Sequence, residues 1–208
     1  TVTLTSVGSG DEDGATVTYT ATFTTAPTQD ETVSFKVNGV DYSITVKAGD
    51  LTGTTTLNYS DSDVFVDPTT IPAPEGLTTT NNSNYEDLKP VNSATKYDVA
   101  DSKDPSTVTL TSVGSGDEDG ATVTYTATFT TAPTQDETVS FKVNGVDYSI
   151  TVKAGDLTGT TTLNYSDSDV FVDPTTIPAP EGLTTTNNSN YEDLKPVNSA
   201  TKYDVADS

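Results

Sequence analysis

The chain has 208 residues and a formal net charge of -22, from 31 acidic and 9 basic residues, and it contains neither Cys nor His. Phosphate would repel such a charge, so we expect no nucleic-acid binding. The missing Cys and His also exclude disulfides, the usual zinc sites and the common catalytic triads. No stretch is long and apolar enough to span a membrane, and no signal peptide is visible, so we expect no membrane insertion by this chain.

An internal repeat organises the whole sequence. The segment that begins at Thr1 recurs from Thr107, and every residue of 1–102 matches its counterpart in 107–208. A repeat of this length has the size of a small domain rather than of a solenoid unit. The sequence therefore predicts two identical domains, 1–102 and 107–208, joined by a short linker at 103–106.

Within one repeat, alternation of apolar and polar residues predicts seven strands and no helix. The predicted strands of the first repeat cover residues 1–7, 15–23, 32–37, 40–46, 52–59, 69–77 and 94–99. In the first strand, Val2, Leu4 and Val7 are expected to face inward. Asn38-Gly39, between two alternating runs, indicates a tight hairpin. Seven short strands in about a hundred residues are typical of an immunoglobulin-like β-sandwich, so we expect an all-β chain of two such domains, end to end.

The sandwich interpretation predicts where the acidic loops meet. Because successive strands alternate in direction, the first turn, the loop after residue 59 and the chain exit all lie at one pole of the domain. In the first repeat these segments carry Asp11, Glu12, Asp13, Asp61, Asp63, Asp67, Asp101 and Asp104. Their counterparts in the second repeat include Asp117, Glu118, Asp119, Asp167, Asp169, Asp173 and Asp207. Loops of the opposite pole place Asp136, Glu137 and Asp156 on the other side of the linker.

Clustered carboxylates repel one another unless a cation lies among them. Ca²⁺ takes six to eight oxygen ligands and tolerates irregular geometry, which loop carboxylates can provide. All these acids are therefore candidate calcium ligands, and a bound ion would stiffen the link between the domains. The alternative is that Asp-Gly and Ser-Asp are turn formers on a solvated surface.

The order of several motifs resembles the repeats of giant calcium-dependent RTX adhesins of Gram-negative bacteria, a class that includes biofilm and ice-binding adhesins. The similar segments are the opening Thr-Val-Thr-Leu, the acidic turn before residues 15–21, and the runs 44–49, 60–67, 85–88 and 97–102. This resemblance implies an extender domain of a stalk. Many such copies hold a distal ligand-binding region away from the cell, and calcium makes the stalk rigid. It also implies an extracellular location on an outer-membrane-anchored parent protein.

The sequence leaves alternatives to the extender function. The domain could itself be an adhesive module that recognises glycans or another protein copy, which would require exposed aromatic residues such as Tyr42, Tyr59, Tyr85 and Tyr97. An enzyme is not expected, because paired carboxylates alone imply no aromatic-lined cleft. An internal Lys–Asn isopeptide bond at Lys36, Lys47 or Lys96 is a further alternative. We expect a monomer whose partners are neighbouring identical repeats of the same chain.

Overall fold

A computed structural model describes residues 1–167, 171–172 and 175–207. Every helix-or-strand element in these residues is a β-strand, so the prediction of an all-β chain of two tandem immunoglobulin-like β-sandwiches is confirmed. One compact unit contains Thr1–Asp63 and Asp67–Ser102, and the other contains Val64–Val66 and Lys103–Ser208. No helix in the described ranges is long and apolar enough to cross a membrane.

The first unit has nine strands. They are β1 (Val2–Ser9), β2 (Ala15–Phe23), β3 (Glu31–Val37), β4 (Val40–Val46), β5 (Thr52–Tyr59), β6 (Thr69–Ile71), β7 (Glu75–Thr79), β8 (Pro90–Asn92) and β9 (Tyr97–Val99). One sheet has the strand order β5-β2-β1-β8, a second has the order β4-β3-β7, and β6 pairs with β9. All these pairs are antiparallel except β1 with β8, which is parallel.

Alternation along the strands builds the core between the sheets. In β2, Val17, Tyr19, Ala21 and Phe23 are buried, and the intervening Thr residues face outward. Thr has a high strand propensity and a hydroxyl that water can solvate, so it suits the outer face. The Tyr19 ring contacts Phe35 across the core, with ring centroids 5.0 Å apart.

Several sequence expectations for the strands differ from the structure. Val7 was expected to face inward, but it is 72% exposed, because strict alternation from Val2 and Leu4 places residue 7 on the opposite face. The strand expected at 69–77 is split into β6 and β7, since Pro72 and Pro74 have no N–H to donate to a ladder. The last strand begins at Tyr97 rather than at residue 94, and β8 was not predicted.

The second unit repeats this arrangement. Its strands are β10 (Pro105–Ser115), β11 (Ala121–Phe129), β12 (Glu137–Val143), β13 (Val146–Val152), β14 (Thr158–Tyr165), β15 (Thr175–Ile177), β16 (Glu181–Thr185), β17 (Asp193–Asn198) and β18 (Tyr203–Val205). The sheet orders are β14-β11-β10-β17 and β13-β12-β16, with β15 paired to β18. Pro105 and Ser106, which the sequence assigns to the linker, belong to β10 and pair with Asp193 and Leu194 of β17.

Candidate metal centre

Three segments that are distant in the sequence meet at one end of the first unit. The Glu12 N–H donates to the Ala100 carbonyl at 2.9 Å, and the Asp61 N–H donates to the Glu12 carbonyl at 2.7 Å. Asp11 also forms an isolated parallel bridge with Ala100. The turn between β1 and β2, the start of the loop after β5 and the chain exit after β9 are therefore tied together by their backbones.

Glycines at the end of β1 make this meeting possible. A Cβ on Gly8 would lie 2.1 Å from the Tyr97 ring, so only Gly lets that ring pack there. The Tyr97 hydroxyl then donates to the Gly10 carbonyl at 2.7 Å. Gly10 itself has a φ of 88°, a left-handed conformation that favours Gly. The acidic turn is thus held in a fixed position against β9.

Five carboxylates converge on this end in two overlapping groups. Glu12, Asp67 and Asp101 each offer an oxygen within 4.8 Å of the others, and so do Asp61, Asp63 and Asp67. Asp67 belongs to both groups. All five residues were candidate ligands in the sequence, and all lie within the first unit.

Part of this group is removed from water. Glu12 is only 4% exposed, and its Oε1 accepts hydrogen bonds from the N–H and the hydroxyl of Ser102, each at 2.9 Å. Within the described residues, the Asp101 Oδ1 atom is buried with no hydrogen-bond donor. A buried carboxylate oxygen without a donor is costly, so this atom is a place where a cation would be stabilising.

Two carboxylates of the group, Asp67 and Asp101, have raised pKa values. Burial and the neighbouring Glu12 raise the pKa of Asp101 above its usual value. Burial, followed by the charges of Asp63 and Asp61, raises the pKa of Asp67. Both shifts mean that the local environment disfavours the charged carboxylate when no cation is bound.

The lysines of the chain pair with other carboxylates. Among the described residues, the ion pairs are Lys36–Asp41, Lys47–Asp30, Lys89–Asp87, Lys96–Asp98, Lys142–Asp147, Lys153–Asp136, Lys195–Asp193 and Lys202–Asp204. None of these pairs includes Glu12, Asp61, Asp63, Asp67 or Asp101. The positive charge of these eight lysines is therefore directed elsewhere on the surface.

The remaining candidate calcium ligands of the first repeat lie outside the two carboxylate groups. Asp11 uses its backbone carbonyl to accept the Gly14 N–H at 3.1 Å, and Asp13 is exposed in the same turn. Asp104 lies in the second unit, where its N–H donates to the Glu192 carboxylate at 2.6 Å. None of these three side chains belongs to the two carboxylate groups described above.

The second unit reproduces the backbone ties of the first. The Glu118 N–H donates to the Ala206 carbonyl at 2.9 Å, and the Asp167 N–H donates to the Glu118 carbonyl at 2.7 Å. Asp117 bridges to Ala206, and Asp119 and Asp207 are exposed. The candidates Asp169 and Asp173 lie outside the described residues.

Three candidates from the opposite pole have structural roles instead. Asp136 pairs with Lys153 at 2.7 Å, and the Asp156 N–H closes a turn with the Lys153 carbonyl at 3.0 Å. Glu137 is fully buried and accepts the N–H groups of Ser189 at 2.7 Å and Asn188 at 3.0 Å. A period of two places Glu137 on the same face as Val139 and Phe141, so the sequence did contain a signal for its burial.

Ser102 was not anticipated, because no spacing rule marks a Ser that donates to a carboxylate ninety positions away.

Comparisons with known proteins find a matching family and a similar solved structure. The model of the LapA domain family matches residues 1–102 and 104–208. No curated protein sequence matches the chain significantly. One solved structure, described as "Structural insight into host cell surface retention of a 1.5-MDa bacterial ice-binding adhesin", aligns at 18% identity and a TM-score of 0.27. The alignment covers 94% of this chain and 64% of the length of that one.

Proposed function

The chain belongs to the LapA domain family, and we propose that it is an extender module of a cell-surface adhesin in which the carboxylate group of each repeat binds Ca²⁺. The observation that carries the proposal is the convergence of Glu12, Asp67 and Asp101 around a buried oxygen that has no hydrogen-bond donor among the described residues. The family assignment favours a structural role over an enzymatic one.

The chemistry of the group favours calcium over other common ions. All five side chains offer carboxylate oxygens, which are hard ligands suited to Ca²⁺ and Mg²⁺. They come from a turn, a loop and a chain exit, which gives an irregular ligand set. Ca²⁺ accepts irregular shells of six to eight oxygens, whereas Mg²⁺ demands near-octahedral geometry and usually retains several waters.

A bound ion would link three segments that the backbone already brings together. Glu12 follows β1, Asp67 follows β5, and Asp101 lies on the chain exit after β9. Cross-linking the exit to the body of its domain reduces the freedom of residues 101–104, which lead into the next repeat. We propose that calcium stiffens the chain in this way and so makes a series of repeats an extended stalk.

The proposed setting follows from that role. The parent protein would be anchored in the outer membrane, with this chain outside the cell and a distal region carrying the ligand-binding activity. The partners of each repeat are the neighbouring repeats of the same chain, and the isolated chain is monomeric.

The adhesive-module alternative receives no support from the aromatic residues. Tyr85 stacks on Phe23 and donates its hydroxyl to the Thr25 carbonyl, and Tyr42 stacks on Phe35. The hydroxyls of Tyr59 and Tyr97 bond to Thr69 and Gly10. These contacts stabilise the fold, so the rings do not form an exposed patch for a glycan.

Thermal melting tests the calcium proposal directly. A ligand that binds only the folded state stabilises it by about 2.7 kcal/mol when present at 100 times its Kd. We therefore expect a higher midpoint in calcium than in excess chelator, and a smaller effect of magnesium. Equal midpoints in calcium and chelator would contradict the site.

A matched pair of variants locates the effect. Asp67→Asn, made together with Asp173→Asn in the second repeat, should abolish most of the calcium-dependent shift. Asp50→Asn with Asp156→Asn changes an exposed turn outside the group and should leave the shift intact. Small-angle scattering with and without calcium then tests the extender role, since a stiffer chain has a narrower distribution of lengths.

A further inference from the structure

Three residues from the first repeat belong to the second compact unit. Val64–Val66 pack within that unit, whereas their sequence neighbours Asp63 and Asp67 belong to the first. The Val66 N–H donates to the Asn190 carbonyl at 2.8 Å, and the Glu192 N–H donates to the Val64 carbonyl at 3.0 Å. Between these bonds, Phe65 and Tyr191 form an antiparallel bridge. The segment therefore adds a minimal strand to residues 190–192.

Apolar contact accompanies these hydrogen bonds. The rings of Phe65 and Tyr191 lie with centroids 4.8 Å apart, and Tyr191 also stacks on Phe129 at 5.9 Å. Val64 and Phe65 pack against the hydrophobic core of the second unit. Tyr191 is only 2% exposed and Ser189 only 5%. The segment covers the corner formed by residues 187–192.

The identical corner of the first unit, residues 81–86, has the same internal structure. The Asn81 side chain bonds to both backbone groups of Tyr85, at 2.8 and 2.9 Å, as Asn187 does to Tyr191 at 2.7 and 2.8 Å. Asn84 and Asn190 have nearly equal left-handed φ angles of 55° and 57°. The corner is therefore formed in the same way with or without the segment.

The two corners differ in how deeply their tyrosine is buried. Tyr85 is half-buried, whereas Tyr191 is buried. Burial raises the pKa of Tyr191 to about 12. In the second repeat the counterparts of Phe65 and Val66 are Phe171, which is 72% exposed, and Val172, which is 82% exposed. One corner is thus covered by the segment, the identical corner is more open, and Phe171 and Val172 are exposed.

We propose that the 81–86 corner is a docking surface for the Val64–Val66 segment of a preceding copy of this repeat, and that Phe171 and Val172 dock in the same way on the corner of a following copy. The contact is a short strand addition with one aromatic anchor, a recognised mode of peptide binding. Its two surfaces differ, so it is heterologous and propagates along a chain instead of closing into a ring. The inference rests on the proposed function only in assuming that copies follow one another.

Engineered disulfides test the docking, because the chain has no Cys of its own. Phe65 and Tyr191 are a bridge pair flanked by hydrogen bonds, for which Cα atoms lie about 4.5 Å apart, within the range for a disulfide. Phe65→Cys with Tyr191→Cys should form an intrachain disulfide under mild oxidation. Formation of this bond supports the docking, and its absence in a folded variant overturns it.

A second pair tests docking between copies. At about 1 mM chain, comparable to the effective concentration across a short linker, Phe171→Cys with Tyr85→Cys should give a ladder of disulfide-linked oligomers. Phe171→Cys with Tyr191→Cys is the matched control, since the second corner is already covered, and it should give at least fivefold less ladder. Equal ladders from both pairs would overturn the proposal.

Amide exchange followed by NMR covers the case in which a Tyr replacement unfolds its domain. In the unchanged chain the Glu192 amide should exchange at least tenfold more slowly than the Glu86 amide, and Phe65→Ala should remove that difference. Equal rates in the unchanged chain would contradict docking. All arms are run in calcium and in chelator. Docking without a calcium-dependent melting shift rejects only the metal site, and a melting shift without docking rejects only this inference.

Discussion

Two groups of carboxylates in the first unit respond to burial in opposite ways. Glu31 is fully buried, and burial alone would raise its pKa. Hydrogen bonds from Thr80, Asn82 and Ser83 outweigh that effect, so the pKa of Glu31 lies below its usual value. Asp101 is less buried, yet burial and the nearby Glu12 raise its pKa. The sum of burial, neighbouring negative charges and hydrogen-bond donors, rather than burial alone, decides whether the pKa of a carboxylate is raised or lowered.

The difference separates a structural carboxylate from a candidate ligand. Glu31 receives the N–H groups of Ser83 at 2.7 Å and Asn82 at 3.0 Å, so both of its oxygens have donors. It needs no further partner and fixes the 81–86 corner to β3. The group around Asp101 contains several negative charges and an oxygen with no donor among the described residues.

Removing the well-bonded carboxylate should have the largest effect. Glu31→Ala with Glu137→Ala leaves buried N–H groups without acceptors, and we expect a loss of about 3 kcal/mol per repeat in the free energy of unfolding. Urea unfolding followed by circular dichroism measures it. Glu75→Ala with Glu181→Ala removes exposed carboxylates of β7 and β16 and is the control. A loss below about 1 kcal/mol would show that water replaces Glu31.

Neutralising Asp101 and its counterpart Asp207 should have different effects on stability in chelator and in calcium. Asp101→Asn with Asp207→Asn removes a negative charge while keeping the shape of the side chain. In chelator we expect stability to be unchanged or to rise by up to about 1 kcal/mol, because repulsion is relieved. In calcium we expect most of the ligand-dependent stabilisation to disappear. Titration calorimetry should show the matching loss of binding, and a variant that loses stability equally in both conditions would contradict a metal role.

The strands and the meeting of the acidic loops followed from the sequence. The bounds of β2, β4 and β5 agree with the predicted ranges, because alternation and the Asn38-Gly39 turn are local signals. The convergence of Glu12, Asp67 and Asp101 follows from strand direction alone. Which oxygen lacks a donor does not follow, since that depends on side-chain contacts such as those of Ser102.

Residues that a long loop positions were harder to predict. The split between β6 and β7 depends on which N–H groups face the sheet edge, and β8 pairs in parallel with a strand nearly ninety residues away. The membership of Val64–Val66 in the second unit has no sequence signal, because identical repeats give no contrast between covered and exposed copies. Such features depend on contacts between distant segments and not on local patterns.

The two kinds of carboxylate should change the free energy of unfolding in opposite directions as the pH falls. For Asp67 and Asp101 the folded pKa is raised, so in chelator the folded state binds more protons and stability rises as pH falls through that folded pKa. For Glu31 and Glu137 the folded pKa is lowered, so their contribution is present above the usual 4.5 and is lost as pH falls through the folded value. Stability in chelator should therefore pass through a maximum at mildly acidic pH.

Urea unfolding across a pH series tests both limbs. Calcium should flatten the limb between the maximum and neutral pH, because a bound cation favours the charged carboxylates. Asp101→Asn with Asp207→Asn should flatten the same limb in chelator. A profile that rises steadily from acid to neutral pH in chelator would contradict the raised pKa values.

The smallest effect should come from a carboxylate that neither lies buried nor lacks a partner. Asp30, next to Glu31 in sequence, accepts a hydrogen bond from the Lys47 ammonium at 2.8 Å and another from the Ala48 N–H at 3.0 Å. The hydrogen bond from Lys47, followed by that from Ala48, lowers the pKa of Asp30.

Both charged side chains are at least half exposed, so water and salt screen their attraction. Lys47→Ala with Lys153→Ala should therefore lower the melting midpoint much less than Glu31→Ala with Glu137→Ala does. In 1 M salt, where the screening length is about 3 Å, the difference should vanish. A salt-independent loss would mean that the aliphatic part of the lysine packs on the domain, and that contacts rather than charge stabilise this loop.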